Sequence, residues 1–269
     1  ALAEALAATA AELAACTTRP WTLMEVCGGQ THAILRWGLG QLLPPGLRLI
    51  HGPGCPVCVT PAATIDAALA LARRPGVILC SYGDMLRVPG STATSLLTLR
   101  AEGADVRLLT SPLQALAIAR AHPDREVVFL AVGFETTAPA TAVLALAVRT
   151  EGLANLSLLT AHVRVAPAME ALLQPDAGSP DPLCAVQGFL AAGHVCGVIG
   201  TTELEELVER RALPVVVSGF EPLELMRAIL ACVRLLEAAT PRLLNAYDPV
   251  VRPEGNPAAR ALLAEVFAV

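Results

Sequence analysis

Three cysteines in two glycine-rich stretches are the residues best suited to chemistry in this chain. Cys27 stands in Met24-Glu25-Val26-Cys27-Gly28-Gly29-Gln30-Thr31-His32. Cys55 and Cys58 stand in His51-Gly52-Pro53-Gly54-Cys55-Pro56-Val57-Cys58-Val59-Thr60-Pro61. A C-x-x-C pair read at a helix N-terminus has a lowered thiol pKa, because backbone N–H groups and the helix dipole favour thiolate. Its spacing also lets two sulfurs close a disulfide or grip one metal. Gly28, Gly29 and Gly54 mark places where a bound group can approach the backbone, while Pro53, Pro56 and Pro61 stiffen the second loop. A structural zinc site wants four ligands. Three thiols with His32 or His51 reach that number, but a second C-x-x-C is missing. Thiolates equally suit iron and redox exchange.

Other side chains are secondary candidates. His32 reads in the first turn of a helix and His51 at the end of a strand. Asp84 and Arg87 share a third loop and are placed to pair. Glu135 follows Gly133 at a strand end, where it faces a crevice or serves a helix dipole. His162 and His194 lie near strand ends in the second half and rank below Glu135. Cys16, Cys80, Cys184, Cys196 and Cys232 sit among apolar residues and read as core, the usual place of free cysteine.

The elements that must position these residues follow one grammar. An apolar run reads as a strand, a glycine-rich turn follows, and an apolar-periodic stretch reads as a helix. Strands are expected at residues 21–26, 47–50, 76–80, 105–109, 126–132, 156–160, 194–199 and 214–218. Helices are expected at residues 1–15, 31–39, 62–74, 112–121, 167–173 and 201–211, from the loop 81–91 to 100, and up to 149 and 238. Residues 174–182 read as a surface loop. Gly-Phe-Glu occurs at 133–135 and again at 219–221, each time between strand and helix. Such alternation predicts parallel α/β architecture, with ligands at the carboxyl ends of strands. Two similar doubly wound, Rossmann-like domains are expected, and a (β/α)8 barrel is the alternative. The expected domains are 1–125, carrying the thiol loops, with 240–269 as a segment able to join it, and 126–239.

Composition narrows the function classes. All 19 basic residues are Arg, so a P-loop lysine and a Schiff-base lysine are excluded. The net charge of −5 and the lack of a basic stripe argue against nucleic acid. Residues 1–15 carry Glu4 and Glu12 and read as an amphipathic helix, not a signal peptide. Eight cysteines without such a peptide point to a reducing, cytoplasmic compartment. Residues 182–202 lack formal charge, but Gln187, His194 and four glycines favour a buried strand with its loops over a membrane span.

Taken together these motifs resemble the HypD family of hydrogenase maturation proteins. The matching residues are Cys27-Gly28-Gly29 with Thr31-His32, Gly52 to Cys58, Tyr82 to Ser91 and Gly133 to Thr137. Gly193-His194-Val195, Gly219 to Pro222 and Arg252 to Pro257 also match, in the family's order over nearly the whole chain. The resemblance implies a scaffold for assembling the Fe(CN)2CO unit of nickel-iron hydrogenases. It implies Cys27 as an iron ligand and Cys55/Cys58 as a redox-active thiol pair. The implied partners are a small HypC-type chaperone, a HypE-type cyanide-delivery protein and, indirectly, the hydrogenase large subunit. His32, Asp84 and Glu135 are carried over as working residues of the same site. The family also implies a [4Fe-4S] domain toward the C-terminus, whereas no cysteine follows Cys232 here, an expectation of truncation. Gln30 stands where the family usually has His, and it cannot take a proton at neutral pH. Two other readings stay open on the residues alone: a thiol-disulfide oxidoreductase using Cys55/Cys58, and a zinc-stabilised module.

Overall fold

The computed structural model describes residues 1–173 and 185–267. In chain order the elements are α1 (Leu2–Cys16), β1 (Trp21–Glu25), α2 (Gly28–Arg36), β2 (Leu47–His51), α3 (Ala62–Ala72), β3 (Val77–Ser81), α4 (Leu96–Ala101), β4 (Val106–Leu108), α5 (Leu113–Ala121), β5 (Glu126–Gly133) and α6 (Ala138–Glu151). They continue with β6 (Leu156–His162), α7 (Val165–Leu172), β7 (Gly188–Ala192), α8 (Gly193–Ile199), α9 (Thr202–Arg211), β8 (Val215–Ser218), α10 (Pro222–Glu237), β9 (Leu243–Asn245) and α11 (Pro257–Val266). The strands form two open parallel sheets, ordered β2-β1-β7-β8-β9 and β4-β3-β5-β6. The fold is therefore the doubly wound α/β arrangement, and among the described residues no barrel closes.

The chain divides into two compact units. One comprises Ala1–Cys55 and Arg164–Pro257, and the other comprises Pro56–Val163 and the segment from Ala258. The boundary expected at residue 125 lies inside the second unit, because β5 pairs with β3 on one side and β6 on the other. Parallel pairing joins strands far apart in sequence, so the order of strands along the chain did not reveal their grouping. Of residues 240–269, those up to Pro257 group with the first unit and those from Ala258 with the second.

Alternation builds the second unit's two-sided core. Val77, Leu79, Val128, Leu130 and Val132 face α3 and α4, while Ile78, Cys80, Val127, Phe129 and Ala131 face the other side with α5 and Leu144 of α6. Strands buried on both faces read as continuous apolar runs, which is the pattern of a parallel sheet. In the first unit α10 carries the densest apolar face. Its Leu225, Met226, Ile229, Leu230 and Val233 pack with Leu13, Leu23, Ile34 and Val216. A reciprocal capping box between Glu221 and Glu224 fixes where α10 starts.

Three local expectations change. Residues 194–199 are helix, not strand, and the strand lies just before them at β7. A short buried apolar run does not distinguish the two states. Strand β9 escaped notice because it is three residues long. The helix after Cys27 starts at Gly28, three residues earlier than read, so His32 falls in its second turn. Cys80, Cys196 and Cys232 are buried and Cys16 is half-buried. Cys184 and the loop 174–182 lie outside the described residues. Among the described residues no helix is long and apolar enough to cross a membrane.

Candidate functional site

In the first unit, β1 has β2 on one side and β7 on the other, so the chain winds away in both directions from the carboxyl end of β1. This is where an open α/β sheet leaves a crevice. Cys27 sits there as the N-cap of α2, with extended backbone and 4% exposure. The N–H groups of Gly29 and Gln30, the second and third amides of the helix, lie toward its sulfur without closing a capping hydrogen bond, and their partial positive charge favours thiolate. Burial works the other way and dominates, so the thiol pKa is raised.

The second loop is fastened to the first. The N–H of Gly28 donates to the carbonyl of Gly54 at 2.9 Å, and the N–H of Gly52 donates to the carbonyl of Glu25 at 2.7 Å. Gly54 lies so close to Cys27 that a Cβ there would stand 2.5 Å from the Cys27 backbone nitrogen and carbonyl carbon. Only glycine fits such an approach. Cys55 follows directly and is half-buried, and Cys58 is exposed.

Glu25 is the hub of both loops, and sequence reasoning passed over it. Its side chain is fully buried. Oε2 accepts from the backbone N–H of Cys27 at 2.8 Å, while Oε1 accepts from the Thr31 hydroxyl and meets Nδ1 of His51 at 2.6 Å. A carboxylate buried this deeply persists only when its oxygens are satisfied. A lone acidic residue inside an otherwise apolar strand was the available signal.

His194, which the sequence places below Glu135, is a second neighbour of Cys27. His194, in the first turn of α8, brings Nδ1 to 3.8 Å from the Cys27 sulfur. Its ring leans on Phe220, the centroids 5.2 Å apart. Phe220 in turn touches the place where a Gly29 side chain would sit. Tyr247 presses on Gly193, where a Cβ would come within 2.5 Å of its ring, and so fixes the turn that delivers His194. Gln30 is buried beneath. Its amide nitrogen donates to the carbonyls of Ala191 and Ser218, and its Oε1 accepts no hydrogen bond among the described residues.

The remaining sequence candidates are placed as follows. His32 is exposed on α2, and His51 is engaged by Glu25. Asp84 belongs to the second unit, where it is exposed and caps a 3-10 turn by accepting from the N–H of Met85 at 2.8 Å, instead of pairing with Arg87. Glu135, also in the second unit, is 5% exposed just beyond β5. His162 ends β6, its Nδ1 has no hydrogen-bond partner among the described residues, and burial pulls its pKa down to about 4. The C-x-x-C lies on turns, with Cys58 four residues ahead of the first residue of α3, so the helix terminus expected to activate it is not adjacent. Among the described residues no three His, Cys, Asp or Glu side chains gather to hold one ion. The four-ligand zinc arrangement is therefore not formed there.

Comparison with known proteins fits this geometry. The profile of the family described as "HypD: Hydrogenase formation hypA family" matches residues 1–269. A protein of Azotobacter vinelandii named hydrogenase maturation factor HypD is 48% identical over 93% of this chain and 65% of its own length. One of Rhizobium leguminosarum bv. viciae with the same name is 49% identical over 93% of this chain and 65% of its length. The HypD of Escherichia coli (strain K12) is 43% identical over 100% of this chain and 70% of its length. The chain thus spans about two thirds of the length of these relatives. With its thiol loops set in a sequence that matches the family profile from the first residue to the last, the chain belongs to the HypD family.

Proposed function

We propose that this chain is the iron-receiving part of a hydrogenase maturation scaffold. The cargo is iron carrying two cyanides and one carbon monoxide. Cys27 is its ligand from this chain, and a HypC-type chaperone supplies a second thiolate. A HypE-type protein delivers the cyanide, and the finished unit passes toward the hydrogenase large subunit. Cys55 and Cys58 supply or accept electrons as a dithiol-disulfide pair; His32 is a supporting polar group in the first unit, and Asp84 and Glu135 are working residues of the second. The work belongs to a reducing, cytoplasmic compartment. One observation supports the reading: Gly54, the residue before Cys55, packs on the backbone of Cys27, so the Cys27 loop and the start of the C-x-x-C are built as one piece. A plain oxidoreductase has no use for the buried Cys27.

The cluster implied by the family does not fit these residues. A [4Fe-4S] centre takes four cysteine thiolates. No three ligating side chains gather among the described residues.

Infrared spectroscopy tests the proposal. The chain is co-expressed with the chaperone and the cyanide-delivery protein and purified without oxygen. Cyanide and carbonyl stretches that vanish in Cys27→Ala are the expected result. Bands that persist unchanged in Cys27→Ala would sink it.

A further inference from the structure

Cys27 needs company to hold an ion, and the sequence offered His32 and His51 for that purpose. The structure uses both otherwise: His32 points outward on α2, and His51 is held by Glu25. His194 is the histidine whose ring nitrogen faces the sulfur, at 3.8 Å. Among the described residues that imidazole makes no other hydrogen bond. A purely structural histidine is tethered at one ring nitrogen or both, whereas this one touches sulfur and the face of an aromatic ring. It is also exposed, so an ion arriving from solvent can reach it.

The spacing suits a shared ion. A thiolate about 2.3 Å and an imidazole nitrogen about 2.0 Å from one metal stand roughly 3 to 3.6 Å apart, for ligand angles between octahedral and tetrahedral. The observed 3.8 Å needs to close by only a few tenths of an ångström. Both donors sit on rigid elements. Cys27 caps α2 between Glu25 and Gly54, and His194 is set by Tyr247 pressing on Gly193 and by the ring of Phe220.

We propose that His194 is a second protein donor beside Cys27, ligating through Nδ1 a divalent transition-metal ion of the iron class. The inference rests on the reading of Cys27 as an iron ligand. The neutral ring carries its proton on Nε2 and presents the Nδ1 lone pair to the metal. Two donors from this chain fix the ion's direction in the crevice and leave its other positions open to ligands from elsewhere.

The test uses Co(II) as the probe, added anaerobically to the whole chain in a Cys55→Ser/Cys58→Ser background. A sulfur-to-cobalt charge-transfer band is expected, together with the X-ray absorption signature of a bound imidazole. Cys27→Ser should abolish the band. His194→Ala and His194→Gln should keep it, lose the imidazole signature and weaken binding at least about tenfold, since even groups one layer beyond the ligands are worth that much. Unchanged affinity and an unchanged imidazole signature in both His194 variants would overturn the inference and leave Cys27 standing. A band and an affinity that survive Cys27→Ser would overturn the inference and count against the reading beneath it.

Discussion

Glu25 and His51 meet at 2.6 Å, joining a fully buried carboxylate to a ring that is 41% exposed. The contact ties the strand beneath Cys27 to the strand beneath Cys55. The same carboxylate holds the Cys27 amide and the Thr31 hydroxyl, so one side chain keeps two loops in register.

Glu25→Gln tests that linkage. Glutamine accepts through one oxygen only, and its NH2 would face a donor whichever way the amide turns. A loss of roughly 2–3 kcal/mol in urea unfolding is expected, the cost of stranding buried donors. The Cys27 thiol should also alkylate faster in the folded protein. A variant as stable as the parent, with Cys27 equally shielded, would show that Glu25 does not hold the loops.

Gly54→Ala attacks the same junction by steric means. The new methyl would overlap the Cys27 backbone, which cannot move aside as a flexible side chain can. A cost of roughly 2–4 kcal/mol is expected. Gly40→Ala is the control, because nothing lies within 4 Å of a Cβ there. It should unfold within about 0.5 kcal/mol of the parent, the usual range for an open surface site. Equal behaviour of the two variants in denaturant titrations would refute the close packing.

His162 makes stability depend on pH. Burial lowers its folded pKa from 6.5 to about 4. Between those values the unfolded chain binds the proton and the folded chain does not, so stability falls as pH drops from 6.5 toward 4 and levels off below. With allowance for partial exposure the contribution is roughly 2 kcal/mol. His162→Gln should flatten that part of the stability profile measured by urea titration at successive pH values. A slope that survives the substitution would assign it to other groups.

Much of this was legible beforehand. The run at residues 126–132 announced a buried parallel strand, and glycine-rich turns after apolar runs announced where the thiols would sit. What was not legible depended on which strands become neighbours. His194 looked remote from Cys27 because nothing in a linear reading says that β7 lies beside β1. It was also assigned to a strand, since Val195, Cys196, Val198 and Ile199 suit a buried helix as well as a strand. Glu25 was visible as a charge in an apolar stretch, but its three partners come from a loop, a helix and a neighbouring strand that only the fold assembles.

The split first unit has a consequence for how the protein is made. Thr22 bonds with Gln187 across 165 positions of sequence, and Cys27 waits for His194 across 167. During synthesis the ribosome releases Cys27 early and its neighbours late, with Phe220 and Tyr247 later still. Long-range parallel pairing is slow to form, so the nascent chain carries the thiol for most of its elongation without the niche that caps it. The surroundings of Cys27 are therefore a property of the assembled fold, complete only after Phe220 and Tyr247 have been made.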